Sequence, residues 1–519
     1  MEDKDTKKIN NALKLLAKYS IIVFIGVFIS KIALYFYRAI IARYFGIESY
    51  GLFSLAILVL NLVVAISLLG LSEGIVRYAT IYRGKKQFKK INYLFKICGI
   101  ILLFVSLILS VITFLLSSWI SRTFFHNEAL AIFIKISSLI VPFYVISSLF
   151  LSFIRAFEKI GTYSFVVNIL QNITKVAAII LLIALGLKSD SIMFSFFIGI
   201  FLMFLFSYYF CKHNLLITSD TSTLKEKEKK ETLKSLFYYS LPLMFSSIIY
   251  TIYSLTDSFV IGYFKGVSDV GLYNAAIPIA LLLAIIPDFF IQLFYPLITK
   301  EYSERNFKVV KELSKQVSKW IFIIIMPIFL LMIIFPGVFI NIFFGKEYLA
   351  SDNALRILAF GSFISVFSGL WTTILMMAGK SKTILINLII ASIINLILNV
   401  IFVVKYGLIG AAIATSLVWI VMSLTLLLEV KIAVNFIPLR KKMIKIIFVS
   451  LIPTLFLLAI RPFISINFLS LLIFGIFFFL IYFLTIFLTG CFDRNDIFIL
   501  KSFKDKISSL KPEKNIEMI

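Results

Sequence analysis

The chain has 519 residues, of which 61% are hydrophobic, and a mean hydropathy of +1.04. Soluble domains are about 45–50% apolar, so this composition excludes a soluble globular protein. The net charge of +25 suggests nucleic acid as a partner, but the placement of the charges, given below, favours membrane topology instead.

Apolar runs of about 20 residues, each able to cross roughly 30 Å of hydrocarbon, recur along the chain. They predict fourteen transmembrane spans, at about 19–42, 52–80, 94–118, 129–152, 162–186, 190–211, 237–262, 269–299, 318–344, 352–378, 383–404, 408–430, 443–461 and 466–490.

The first six spans and the next six are related by an internal duplication. Gly51-Leu52 recurs 220 positions later as Gly271-Leu272. The same offset relates Tyr19-Ser20 to Tyr239-Ser240, Ala56-Ile57 to Ala276-Ile277, Tyr82 to Tyr302 and Phe124 to Phe344. Repeats with an even number of spans have the same orientation, as in transporters built from parallel repeats. The predicted fold class is therefore an all-α polytopic membrane protein, in which two parallel six-helix repeats form two lobes, followed by two extra C-terminal helices.

The distribution of Lys and Arg predicts the topology. Of the 51 basic residues, 38 lie on the side of the N-terminus, nine on the opposite side and four within spans. This positive-inside bias predicts a multi-pass protein of the cell membrane with both termini in the cytoplasm. The predicted segments are an N-terminal lobe (1–211), a charged cytoplasmic linker (212–236), a C-terminal lobe (237–430), two additional helices (431–490) and a cytoplasmic tail (491–519).

Several classes of site are disfavoured by composition. The three cysteines and two histidines (Cys98, Cys211, Cys491, His126 and His213) have no disulfide or metal-ligand spacing, so we expect no metal and no cofactor. The outer loops are too short to hold the catalytic groups of a membrane glycan polymerase, so we expect no enzyme activity.

The first span carries two cations on one helical face. Lys31 and Arg38 are seven residues apart, with Tyr35 between them. Ionisable residues inside a membrane cost on the order of 2.5–3.5 kcal/mol on insertion scales and usually face the protein interior. The pair therefore predicts a site for a phosphate or diphosphate. The alternative is a structural ion pair of Arg38 with Asp257 or Glu48.

Asp257, in the seventh span, corresponds to position 37, beside Arg38, in the other repeat. The two repeats thus bring opposite charges to nearly equivalent places. The residues leave two interpretations open, a gate latch between Asp257 and a cation, or a proton or cation site.

Polar stripes mark the fifth and eleventh spans. Asn168, Asn172 and Lys175 follow helical spacing, as do Asn387, Asn395 and Asn399, and Asn395 is at the offset position of Lys175. We predict substrate contacts from Lys175, Asn172 and Asn395. The alternative is that the asparagines only hold neighbouring helices together through hydrogen bonds.

The second and eighth spans are interrupted, which points to a transport pathway. The breaking and charged residues are Gly70, Glu73, Gly74, Pro278, Pro287, Asp288 and Pro296. We predict gating or coupling roles for Asp257, Asp288, Glu73 and Arg77. The alternative for Glu73 and Arg77, which are four residues apart, is that they only neutralise each other's charge. Four further cations, Arg155, Lys159, Lys380 and Lys382, are expected at lipid headgroups.

Several stretches resemble the polysaccharide transporters, or oligosaccharide flippases, of the multidrug/oligosaccharidyl-lipid/polysaccharide exporter superfamily. They are residues 42–53 (ARYFGIESYGLF), 70–78 (GLSEGIVRY), 378–380 (AGK), 395–399 (NLILN) and 406–412 (YGLIGAA). The resemblance covers roughly residues 10–430. It implies a V of two six-helix lobes around a cavity that opens alternately to each side.

The resemblance also implies a function. It suggests a flippase for an oligosaccharide on a polyprenyl or dolichyl (di)phosphate, in contact with membrane lipid and glycan biosynthesis proteins. Lys31, Arg38 and Lys175 fit the cationic lining that related flippases have. Because the chain lacks a Walker motif, we expect the membrane potential, a coupling ion or downstream polymerisation to drive transport. A cation-coupled multidrug extruder is the alternative, and a membrane glycan polymerase a more distant one.

Overall fold

The computed structural model describes residues 2–214, 224–460 and 468–491. In these ranges the chain is helical, with no strand. The tail predicted at 491–519 and the middle of the predicted linker lie almost wholly outside them. The α-helices are α1 Glu2–Ser67, α2 Leu71–Gly84, α3 Phe88–Phe125, α4 Leu130–Ala156, α5 Ile160–Ser164, α6 Gln171–Ala184, α7 Ser191–Asn214, α8 Glu226–Phe264, α9 Val267–Ala280, α10 Ile285–Ser303, α11 Phe307–Ile334, α12 Pro336–Phe343, α13 Asp352–Ser365, α14 Ser368–Met377, α15 Ser381–Val434, α16 Lys442–Ile460 and α17 Phe468–Leu488.

Eleven helical segments in the described ranges are long and apolar enough to cross a membrane. Two of them, Gly26–Ser67 and Ser381–Val434, continue through a glycine kink and each cover two predicted spans or parts of them. The last predicted span falls on a shorter apolar stretch, Ile473–Leu488. A multi-pass membrane protein is confirmed, and the number fourteen remains a prediction.

The duplication is visible in the backbone. Gly46, which kinks α1, has φ 78° and ψ −178°. Gly266, 220 positions later, separates α8 from α9 with φ 92° and ψ −179°. Glycine adopts positive φ at little cost because it has no Cβ. Both repeats therefore turn between their first and second spans through the same backbone conformation.

The predicted interruptions of the second and eighth spans are present. Gly70, at φ 65°, separates α1 from α2. In the eighth span a 3₁₀ turn, Leu281–Ala284, separates α9 from α10 and lies between Pro278 and Pro287. Proline removes a helical hydrogen bond, which accounts for a break at this point. The fifth span is also irregular, with a π-helical segment, Phe165–Leu170, that contains Asn168.

The two lobes meet through backbone at the turn between spans one and two of each repeat. A Cβ added to Gly51 would lie 2.1 Å from the Val267 carbonyl oxygen, and one added to Gly271 would lie 2.4 Å from the Ile47 carbonyl oxygen. Both contacts obey the 220-residue offset. The predicted topology places this pseudo-symmetric contact, which we call the glycine contact, on the outer side.

A second contact joins α2 to the start of the seventh span. A Cβ added to Gly70 would lie 2.3 Å from the Ser240 carbonyl oxygen, and a Cβ added to Gly74 would lie 2.2 Å from the Ser240 Oγ. The Arg77 guanidinium also lies 4.3 Å from the centre of the Tyr239 ring. The predicted topology places this contact, which we call the α2–α8 contact, near the cytoplasmic side.

The last two helices pack on the second lobe. The Tyr482 hydroxyl of α17 donates to the Ile323 carbonyl oxygen of α11 at 3.0 Å. The Lys445 ammonium of α16 donates to the Thr489 carbonyl oxygen at the end of α17 at 2.6 Å. These helices thus extend the C-terminal lobe.

Candidate functional site

A cavity of about 290 Å³ lies between the two repeats, and we call it the central cavity. One wall comes from α1, and the other comes from α8, α9 and the segment after α9. Lys31, Tyr35, Arg38 and Asp257 all line it. The structure therefore brings together the two predicted cations, the tyrosine between them and the predicted carboxylate.

Neither cation of this cavity forms an ion pair with a described carboxylate. Among the described residues no ion pair joins Lys31 or Arg38 to an acidic side chain. Glu48 instead lies 3.5 Å from the Asn127 amide nitrogen. The expected alternative, an ion pair of Arg38 with Asp257 or Glu48, is wrong for this conformation, and Arg38 lies beside the Tyr50 hydroxyl. Two positive charges on one wall can therefore attract an anion.

Tyr35 ties the first repeat to the broken eighth span. Its hydroxyl donates a 2.5 Å hydrogen bond to the carbonyl oxygen of Pro278, just before the 3₁₀ turn. Tyr50 makes the analogous contact nearer the glycine contact, since its hydroxyl donates to the Asn274 carbonyl oxygen at 3.0 Å. Both tyrosines link α1 to α9, so these bonds must break if the two helices separate.

Asp257 is buried among neutral donors of its own lobe. Its carboxylate accepts hydrogen bonds from the Tyr273 hydroxyl at 2.5 Å, the Asn399 amide at 2.8 Å and the Thr415 hydroxyl at 2.7 Å. The amide oxygens of Asn395 and Asn399 have no hydrogen-bond partner within the described residues. The Asp257 carboxylate and the two asparagines thus belong to one buried polar cluster. The predicted latch to a cation is not formed in this conformation.

A larger crevice, about 1050 Å³, adjoins the central cavity, and we call it the lateral crevice. Lys31, Tyr35 and Ile285 line both. The other lining side chains are mostly apolar, and Phe28, Ile32, Phe36 and Tyr44 among them are exposed on the surface of the helix bundle. One continuous surface thus runs from an apolar face to the central cations.

Arg43 lies at the end of this crevice that the predicted topology places on the outer side. Its guanidinium donates to the carbonyl oxygens of Asn341 and Ile342 at 2.7 and 2.6 Å. These carbonyls belong to the last turn of α12, where a cation is favoured by the helix dipole. The Tyr348 hydroxyl adds a bond to the Ala42 carbonyl oxygen at 3.3 Å. The lobes are therefore joined on this side by several polar contacts.

The remaining polar residues predicted at the substrate site lie inside single lobes. Lys175 is buried with its ammonium 3.9 Å from the centre of the Phe196 ring. The Asn172 amide donates to the Ser30 hydroxyl at 2.9 Å, and the Asn395 amide donates to the Thr415 hydroxyl at 3.3 Å. None of the three lines the central cavity or the lateral crevice. These contacts join helices, as the alternative interpretation expected for the asparagines.

The predicted gating residues of α2 have partners other than those expected. The Glu73 carboxylate accepts from the Arg155 guanidinium at 2.8 Å, and Arg77 stacks on Tyr239. The alternative, in which Glu73 and Arg77 neutralise each other, is therefore wrong for this conformation. The position of Arg155 at lipid headgroups stays a prediction. Asp288 is exposed, and Lys31 acts on it electrostatically.

The two lobes carry different chemistry at equivalent positions. In the second lobe, Asp257 contacts Tyr273 and Thr415. The positions 220 residues earlier hold Tyr37, Phe53 and Ser195, and the Tyr37 hydroxyl lies 2.9 Å from the Ser195 Oγ. Sequence reasoning found Asp257 but missed Tyr273 and Thr415. Comparison of the repeats position by position is the signal that could have found them, since Tyr273 and Thr415 lie at the positions of Phe53 and Ser195.

Comparisons with known proteins agree with this architecture. The family model described as "Polysaccharide biosynthesis protein" matches residues 16–301, and the model described as "MatE" matches residues 242–401. The solved structure of the lipid II flippase MurJ in an inward closed conformation matches with a TM-score of 0.68 and 23% identity. That match covers 89% of this chain and 98% of the MurJ chain, and it shows the fold.

Three relatives match by sequence. An uncharacterised membrane protein of Methanocaldococcus jannaschii is 32% identical over 50% of this chain and 51% of its own length. The putative O-antigen transporter of Shigella flexneri is 24% identical over 73% of this chain and 88% of its own length. The probable low-salt glycan biosynthesis flippase Agl15 of Haloferax volcanii is 25% identical over 48% of this chain and 51% of its own length. The chain thus spans about half the length of two of these relatives.

Proposed function

Because this chain belongs to the polysaccharide biosynthesis protein family, we propose that it is an alternating-access flippase. Its substrate is an oligosaccharide on a polyprenyl or dolichyl (di)phosphate, which it moves from the inner to the outer leaflet. The observation that carries the proposal is that Lys31 lines both the central cavity and the lateral crevice. The names of the O-antigen transporter and the glycan flippase among the relatives support the same substrate class.

The two connected spaces suit the two chemistries of such a substrate. The lateral crevice has apolar side chains on the bundle surface, where a polyprenyl chain can remain among the lipid tails. Lys31 and Arg38 then neutralise the phosphates, and the polar residues of the central cavity, Asn61, Ser254 and Ser258 among them, offer hydrogen bonds to sugar hydroxyls. A lipid-linked glycan therefore needs only its head group moved through the protein.

Alternating access follows from where the lobes touch. In this conformation the outer side is joined by the glycine contact, by Tyr50 and by Arg43, while the α2–α8 contact holds the other side. We propose that release of the first set and retention of the second opens the cavity outward. The breaks at Gly70 and at Leu281–Ala284 let the lining helices bend without exposing backbone to lipid.

We propose that the buried Asp257 site couples transport to a small cation or a proton. The carboxylate and the unpartnered amide oxygens of Asn395 and Asn399 are the hard oxygen ligands that such ions prefer. The membrane potential contributes as well. Moving negative charge outward across an inside-negative membrane is favourable by about 2.3 kcal/mol per charge per 100 mV.

The proposed setting is the cell membrane, with both termini in the cytoplasm and a transporter rather than an enzymatic role. Glycan biosynthesis proteins are the proposed partners. The second candidate function is cation-coupled drug extrusion, which the MatE match over the second repeat favours. An extruder of cationic drugs needs an acidic cavity, whereas the lining of the central cavity holds two cations, Lys31 and Arg38, and one carboxylate, Asp257.

Cells depleted of this protein test the proposal. We expect lipid-linked oligosaccharide to accumulate in the inner leaflet, shielded from a membrane-impermeant glycan-modifying reagent. Complementation with Lys31→Ala or Arg38→Ala should leave the defect, while Lys89→Ala, which removes an exposed cation outside the cavity, should restore export. Normal glycan lipids together with new drug sensitivity would contradict the flippase and favour the extruder.

A further inference from the structure

A basic cleft of about 890 Å³ lies at the junction of the C-terminal lobe and the last two helices. Four segments surround it, namely the start of α11, the end of α15, the loop after α15 and the start of α16. Its lining side chains are Lys311, Glu312, Lys315, Lys431, Asn435, Phe436, Ile437, Leu439, Arg440, Lys441 and Lys442. It is separate from the central cavity and the lateral crevice and shares no lining residue with them.

The charge of this basic cleft is not balanced by the protein. Six of its lining residues are Lys or Arg and one is acidic. That acid, Glu312, lies 3.2 Å from Arg440 and 3.9 Å from Lys315, so it is already shared between two cations. Lys311, Lys431 and Lys441 are exposed, and their side chains have no hydrogen bond or ion pair to any described residue. Three unneutralised ammonium groups therefore border one hollow.

The position of the basic cleft fits a ligand at the membrane surface. Lys431 lies in the last turn of α15 and Lys442 begins α16, and both helices are candidate membrane spans. Phe436 and Leu439 add apolar surface to the same cleft. Basic pockets between membrane helices on the cytoplasmic side are sites where anionic head groups bind.

We propose that the basic cleft binds a phosphate group, supplied by the head group of an anionic phospholipid. Positive-inside topology alone needs lysines on this side of the membrane, but does not need them on four segments around one hollow. Ammonium groups are point donors suited to phosphate oxygens. A bound phosphate bridges α11, α15 and α16, and so holds the last two helices against the C-terminal lobe. This role is independent of the transport site.

The test uses the full-length protein in detergent and native mass spectrometry of bound lipid. The probes are dioleoyl-phosphatidylglycerol, dioleoyl-phosphatidylcholine and inorganic diphosphate. The test variant carries Lys311→Gln, Lys431→Gln and Lys441→Gln. The charge-matched control carries Lys85→Gln, Lys89→Gln and Lys227→Gln, which are exposed lysines outside the cleft. A Lys→Arg version of the three cleft positions keeps the charge and serves as a rescue variant.

We expect the wild type, the control and the Lys→Arg variant to prefer phosphatidylglycerol over phosphatidylcholine. The cleft variant should lose about tenfold or more of its affinity for phosphatidylglycerol. Diphosphate that binds the wild type and the control but not the cleft variant, without any lipid preference, would assign the cleft to a free phosphate instead of a lipid head group. An equal loss of phosphatidylglycerol affinity in the cleft variant and the control, or no loss in either, would overturn the proposal. The Lys→Arg variant separates the loss of charge from misfolding.

Discussion

Gly51 and Gly271 are 220 residues apart in the chain and face each other between the lobes. A Cβ on Gly271 would lie 3.3 Å from the Gly51 backbone nitrogen, and a Cβ on either residue would meet a carbonyl oxygen of the other lobe. The contact therefore depends on two residues without side chains. The predicted topology places this contact on the outer side, where any separation of the lobes must break its close backbone packing.

Gly51→Val should weaken the outer closure. The new side chain must push Val267 away, and overpacking of this kind costs about 1–3 kcal/mol. We expect a Ser258→Cys reporter in the central cavity to react several-fold faster with an impermeant thiol reagent added outside. Gly475→Val, whose Cβ meets nothing within 4 Å, is the control. Unchanged labelling in Gly51→Val would show that the glycine contact does not control access.

Arg38→Gln should reduce binding of a polyprenyl diphosphate to the purified protein. A hydrogen bond to a charged group contributes about 1.5–3 kcal/mol, so the affinity should fall about tenfold or more. Arg38→Lys should retain part of it, because lysine keeps the charge but loses the bidentate geometry. Calorimetric titration with farnesyl diphosphate measures this. Equal affinities for wild type and Arg38→Gln would remove Arg38 from the site.

Asp257→Asn should uncouple transport from ion gradients while leaving diphosphate binding intact. The substitution removes the charge of the buried site but keeps groups that can bond to Tyr273 and Thr415. The measurement is flipping in proteoliposomes with imposed sodium or proton gradients. We expect the wild type to respond to one of them and the variant to neither. A variant that keeps the full response would exclude Asp257 as the coupling group.

A photoreactive phenylalanine analogue at position 36 should crosslink the lipid portion of the substrate. Phe36 is exposed and lines the lateral crevice. Phe104, which is also exposed but lies on α3 away from the crevice, is the control. Crosslinks should form at position 36 and be competed by unlabelled polyprenyl diphosphate. Equal, uncompeted crosslinking at both positions would mean that the crevice contacts only bulk lipid.

Thr415→Val should destabilise the second lobe without affecting the wall of the central cavity that α1 forms. It leaves the Asp257 carboxylate with one fewer donor, which costs about 1–3 kcal/mol for a buried group. Thermal unfolding in detergent should show a lower melting temperature than the wild type. Ser195→Ala, at the equivalent position of the other repeat, removes a hydrogen bond between neutral groups and should have the smaller effect. A larger loss in Ser195→Ala would contradict the importance of the Asp257 network.

The duplication was the part of the fold that the sequence could predict. Gly46 and Gly266 share one offset, and their backbones share one conformation, because a repeated fold needs the same turn twice. The face shared by Lys31 and Arg38 was also predictable, since seven residues make two helical turns. Local periodicity contains that information.

Partners from distant parts of the chain were not predictable. Glu73 pairs with Arg155 rather than with Arg77, four residues away, and Arg77 stacks on Tyr239 of the other lobe. Lys319 lies at the cytoplasmic start of the predicted span 318–344, where a lysine is expected to reach water, yet its side chain is fully buried in the structure. Helical spacing shows which residues share a face, but only the packing of helices decides what that face meets. Lys175 demonstrates the same limit, because its neighbour Phe196 comes from another helix.

Reconstituted flipping tests the central claim most directly. Purified protein in proteoliposomes with a lipid-diphosphate oligosaccharide should make inner-leaflet glycan accessible to an external, impermeant glycosidase. We expect the doubly substituted Lys31→Gln, Arg38→Gln protein to fall to the protein-free rate, and the Lys85→Gln, Lys89→Gln protein to match the wild type. Flipping at the wild-type rate by the first variant, or no flipping by the wild type, would contradict a flippase with a cationic central site.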